Sequence, residues 1–309
     1  MTPSINRQFP QLIHNRVLAI LRGESHPNFY PFPLNIQLAQ LAQAPASKRI
    51  TSFVLLLAML WLPFALPLYY FGHHTVWASP LALLLLYVEF LLLVAWWGKR
   101  VYQSSGLFRQ YGLVWTRSNG QEYLMGLGLG LGSLLGLFLI QAALGWLVWR
   151  SPPSWRVIAE GLLLGGAIGF AEELLFRGWL WDELRRDYSF KISLWVNSLI
   201  FATLHFIKPL AEILRTAWQF PGLVMLAMIM IRAKGATHHR LGLSMGLHAG
   251  LVWGYYLVSV GQWVRYTGQV PPWVTGVDHN PLMGASGLGC LALLLWLITQ
   301  RDRGQTLID

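Results

Sequence analysis

Charge is what this sequence has least of. Of its 309 residues only 12% are Asp, Glu, Lys or Arg, about half the share found in water-soluble domains. Water is therefore not the main solvent of this chain. Cysteine is almost missing too. Cys290 stands alone, so no disulfide framework can form within the chain, and its apolar surroundings make it a poor thiol nucleophile. No HExxH zinc helix occurs. No cleavable signal peptide is evident, because the first ~50 residues are polar, basic and broken by HPNFYPFP. Repeated halves of the kind common in transporters are not convincing either.

What the chain does have is apolar length. It is 55% hydrophobic, and several runs approach the ~20 residues needed to cross a bilayer. Eight spans are expected, at about 51–71, 80–98, 123–149, 157–182, 191–207, 218–232, 241–260 and 282–300. The sixth is the weakest, being short and having Pro221 near its start. The expected fold class is all-α, a polytopic transmembrane helical bundle of about eight spans with any active site inside it. Before the first span, PQLIHNRVLAILRGE has the pattern of an interfacial amphipathic helix.

The net charge of +10 does not point to nucleic acid, because the basic residues sit between the apolar runs. With the N-terminus cytoplasmic, seventeen Lys and Arg fall on inside segments and five on outside ones. That bias favours both termini inside, in the cytoplasmic membrane of a bacterium or another internal membrane. Tyr69, Tyr70, Trp96, Trp97, Trp146 and Trp149 lie near span ends and read as interfacial anchors. The run GLGLGLGSLLG lacks the Lys-Ser/Thr of a phosphate loop. Its Gly128, Gly132 and Gly136 read as a small face for close helix packing, as do Gly161, Gly165 and Gly169 in the fourth span.

One stretch breaks the apolar pattern. FAEELLFRGW puts Glu172, Glu173 and Arg177 inside the fourth span, where an ionised side chain costs several kcal/mol unless something uses or neutralises it. Glu173 and Arg177 are four apart, the spacing of an ion pair along one helical face. Glu172 points about 100° away. A reversal at RRDYS places residues at equal depth when their numbers sum to about 377, as those of Glu172 and His205 do. His248, in GLSMGLHAGLVWG, adds a second imidazole. Glu172, His205 and His248 could together activate a water, or hold a catalytic divalent metal such as zinc with one open position. Packing, or a proton pathway, would use the same residues.

EELLFR (Glu172, Glu173, Arg177), FATLH (Phe201, His205) and MGLHAGLVW (His248) together resemble the motifs of the CPBP family. That family includes type II CAAX prenyl endopeptidases and the Abi, or abortive-infection, proteins. The resemblance covers roughly 120–300. It implies a domain order of an N-terminal tail (1–50), two extra spans with a basic loop (51–119), a CPBP-like protease domain (120–300) and a C-terminal tail (301–309). It also implies peptide-bond hydrolysis by a water that Glu172 activates, with His205 assisting the water or binding a metal and His248 shaping the oxyanion pocket. Glu173 and Arg177 would act electrostatically. Many members carry Asn four positions after the last histidine, where this chain has Val252. Ser244 and Asn197 are the expected substitutes for the donor this removes. The expected partners are the bilayer and a membrane-associated protein or peptide substrate, with no nucleic acid. The competing expectations are a non-catalytic scaffold or immunity-type protein, and a proton-coupled transporter.

Overall fold

The computed structural model describes residues 34–277 and 280–306, with side chains over 38–277 and 280–302. The expected N-terminal interfacial helix lies outside the described residues. The architecture is helical: α1 (Leu34–Leu41), α2 (Ala46–Gly72), α3 (Ala78–Arg100), α4 (Arg117–Ala143) and α5 (Trp155–Glu173) come first. A π turn at Leu174–Leu180 carries α5 into α6 (Trp181–Arg185), and α7 (Phe190–Leu204), α8 (Leu210–Thr216), α9 (Phe220–Gly235), α10 (Gly242–Ser259) and α11 (Ala285–Thr306) follow. Thr116, Ser154 and Ser189 open α4, α5 and α7 by accepting a hydrogen bond from the backbone N–H three residues on, which satisfies a donor the helix itself cannot.

Four stretches are long and apolar enough to cross a membrane: Ala46–Gly72, Ala78–Arg100, Arg117–Ala143 and Leu210–Gly235. The other four expected spans are also largely helical. In α5 and α10 the same glycines, carboxylates and imidazole that serve packing and the site dilute the apolar character. The sixth expected span proves long because α8 and a 3₁₀ turn lead into α9. The third ends early. Its helix stops at Ala143, Gly145 takes a left-handed φ of 77°, and the chain reverses into strand β1 (Leu147–Trp149). That strand pairs antiparallel with β2 (Val264–Tyr266), Val148 opposite Arg265.

The helix α10 is the central post. A methyl group added at Gly246 or Gly250 would meet the backbone of α4 at Tyr123 or Leu127, and one added at Gly126 or Gly130 would meet α10. Gly161, Gly165 and Gly169 bring α5 onto its other side, against Tyr256, Ala249 and Met245. The fourth-span small face is therefore used as expected. The face on α4 is not: Gly128, Gly132 and Gly136 meet nothing within 4 Å, and Gly126 and Gly130 make the contact instead. Gly126, Gly128, Gly130 and Gly132 belong to one alternating run, which presents glycine on opposite faces of a helix.

The first two long helices are tied to the rest by an aromatic core and a buried ionic knot. Phe53 of α2 lies 4.5 Å, centroid to centroid, from Trp179 of the π turn and 5.3 Å from Trp97 of α3. Trp97 is thus core rather than an interfacial anchor, while Tyr70 and its neighbour Phe71 are exposed. Arg49 and Glu183 are both almost fully buried and pair at 2.8 Å. Asp187 lies 3.2 Å from the same guanidinium, and Tyr102 donates its hydroxyl to Glu183. Burial first, and the Glu183 charge second, hold the Tyr102 phenol well above its usual range. Arg49 and Lys234, counted above as inside loop charges, are therefore internal groups.

Candidate active site

The π turn follows the two glutamates directly. Glu173 closes α5, and Arg177 sits in the middle of LLFRGWL. Both side chains are completely buried, with Arg177 Nη1 3.2 Å from Glu173 Oε1. The guanidinium carbon also lies 4.5 Å from the Phe201 ring centroid, so an apolar face and a carboxylate share the work of neutralising it. The ion pair expected from the four-residue spacing is present.

Glu173 does more than pair with Arg177. The same oxygen, Oε1, accepts a hydrogen bond of 2.9 Å from Nδ1 of His248. A carboxylate at Nδ1 fixes that nitrogen as the N–H and turns Nε2 toward the far side of the ring. There Nε2 stands 3.8 Å from Glu172 Oε2. His205 arrives from α7 with the same logic. Its Nδ1 donates to Phe201 O at 2.8 Å, and its Nε2 lies 4.0 Å from the same Glu172 oxygen.

Glu172 and His205 are thus brought side by side, though His205 stands at the end of its helix. His205 is the C-cap of α7, not an interior residue, because Pro209 stops the helix a few residues on. Its ring and the Glu172 carboxylate are each about a third exposed, 32% and 30%, whereas His248 is buried. Separations of 3.8 and 4.0 Å are too long for direct hydrogen bonds, and they suit a bridging water.

These three groups open onto a cavity of about 300 Å³. Its walls are mostly aliphatic, including Leu134, Ile168, Leu223 and Leu251, and Val252 is among them. Ser244 and Asn197 are not brought to this wall. Ser244 is fully buried and donates to Leu241 O at 3.0 Å, and Asn197 donates to Phe176 O at 2.8 Å. The small hydroxyl bonds back into its own helix turn, as serine does in apolar helices. The amides that do line the cavity are Gln219 and Asn280, which sequence spacing gave no reason to select.

Two Nε2 atoms facing a carboxylate would, when unprotonated, be suitable donor chemistry for a divalent ion. Among the described residues, however, no three His, Cys, Asp or Glu side chains are grouped so as to hold one.

The fold and site together define a helical membrane protein with a buried carboxylate and imidazole cluster beside an apolar cavity. Residues 153–254 match the family model described as type II CAAX prenyl endopeptidase Rce1-like. The match covers 102 of the 309 residues, contains all three motifs and supports the resemblance to the CPBP family. No curated protein and no solved structure matched.

Proposed function

We propose that the chain is an intramembrane endopeptidase in which Glu172, His205 and His248 activate a water against a peptide carbonyl. The observation that carries this reading is the approach of both Nε2 atoms to one Glu172 oxygen at a cavity wall. With both Nδ1 atoms donating elsewhere, three acceptors converge, and one water has only two protons to offer them. One further proton is needed, and His248 is the group to carry it, because Glu173 balances the charge of its ring.

Glu172 takes a proton from the water as the water oxygen bonds to the carbonyl carbon. His205 orients that water through its bare Nε2. The carbonyl oxygen, now negative, receives the N–H of His248. Glu172 then returns its proton to the amide nitrogen as the C–N bond breaks, leaving a carboxylic acid and an amine, and the acid passes its proton on to give a carboxylate and an ammonium. A substrate must be extended near the site, since a helical peptide bond in lipid keeps its own hydrogen bonds. The aliphatic walls suit apolar side chains beside the cleaved bond. An eight-span bundle enclosing the site completes this reading.

The test compares new peptide ends, by mass spectrometry, in native-host membranes containing the intact protein or Glu172→Ala at matched levels. Ends that vanish with the substitution are the expected result and identify a substrate. Identical ends in both membranes would leave a scaffold as the better description.

A further inference from the structure

Two buried donors that take no part in the reaction above converge on the π turn. Asn197, fully buried on α7, donates to Phe176 O at 2.8 Å. Lys234, 4% exposed near the end of α9, donates Nζ–H to Arg177 O at 2.6 Å. The two carbonyls are consecutive, and the donors come from different helices. Phe176 O also receives the backbone N–H of Trp181, five residues on, which is the hydrogen bond that defines a π turn.

Such a turn is intrinsically unfavoured and persists where its surroundings impose it. Relaxation by one residue to α-helix would rotate the two glutamates relative to Arg177 by about 100°. Glu173 would then leave either Arg177 or His248. A buried ammonium is also costly unless hydrogen bonded and balanced. Lys234 is hydrogen bonded to the turn. An aliphatic residue would fill the same space without that penalty, so packing does not account for a lysine here.

We infer that Asn197 and Lys234 are positioning residues that clamp consecutive π-turn carbonyls and thereby hold Arg177, Glu173 and His248 in reacting geometry. The inference rests on the endopeptidase reading. Its test uses the full chain in nanodiscs and the peptide found by the Glu172→Ala comparison. Because a misplacement of about 1 Å lowers turnover by up to about 100-fold, Lys234→Met is expected to lose at least about tenfold in kcat with KM held within about twofold. Lys234→Arg, which keeps the donor and the charge, is expected to recover most of that loss.

Unchanged kcat in Lys234→Met, an effect on KM alone, or no recovery in Lys234→Arg would each overturn the clamp. Should Lys234→Met fail to fold, Asn197→Leu decides, since it removes a donor without changing charge. A similar kcat loss supports the clamp, and wild-type kcat overturns it. These results are read against Glu172→Ala. If cleavage survives in that variant, the endopeptidase reading itself fails and the clamp loses its purpose with it.

Discussion

At the scale of single residues, adjacent glutamates with the same chemistry hold different positions. Glu172 faces the cavity and is partly exposed, while Glu173 is sealed between Arg177 and His248. Replacing Glu173 by Gln keeps the shape but removes the charge that faces both Arg177 and His248, so the variant's melting temperature is measured beside its kinetics. On the proposed mechanism it should lower kcat about 100-fold, the scale of losing an oxyanion donor, with KM little changed in a steady-state assay. A Glu173→Gln enzyme with normal kcat would remove His248 from the charged role. The pairing of Glu173 with Arg177 was legible in the sequence because helix periodicity fixes neighbours four apart. Its bond to His248 was not, since nothing in local spacing relates residues on two helices whose mutual rotation is unknown. Ser244 and Asn197 bond to backbone carbonyls rather than line the cavity for the same reason: a polar residue at the right spacing still turns to whichever acceptor lies nearest.

At the scale of elements, the glycine contacts decide where α10, and with it His248, can stand. Gly246 and Gly250 allow its backbone to touch that of α4, and Gly165 and Gly169 do the same from α5. Gly246→Val should therefore force the helices apart and cost about 1–3 kcal/mol or more, as overpacking does. Gly132→Ala, which fills open space, should be neutral or stabilise by up to about 1 kcal/mol through helix propensity. Unfolding in a denaturing detergent titration measures both. Equal destabilisation by the two substitutions would show that the close contact is not what matters. The sequence identified glycine packing but not which of two opposite glycine faces was used on α4, because every second residue in GLGLGLG is the same. The π turn had no sequence signal at all; it depends on donors supplied by α7 and α9.

At the scale of the whole molecule, the helices outside the family match are joined to the site rather than merely adjacent to it. Phe53 packs on Trp179, and Arg49 is buried against Glu183 and Asp187. Arg49→Leu would strand the buried Glu183 carboxylate, and removal of one partner from such a pair typically costs about 3–5 kcal/mol. A marked drop in melting temperature should follow in differential scanning fluorimetry, whereas a surface arginine such as Arg156, paired at an exposed helix position, should be replaceable with little effect. The broad architecture was readable because membrane spans need long apolar runs. The ionic knot was not, because an arginine beside such a run reads equally well as an orienting surface charge. The unequal burial of the two histidines has a further consequence for chemical labelling. An imidazole-acylating reagent such as diethyl pyrocarbonate can reach the ring of His205 from the cavity, but must wait for local opening to reach that of His248. Peptide mapping during the reaction should therefore find His205 modified before His248, with cleavage lost in step with the His205 modification.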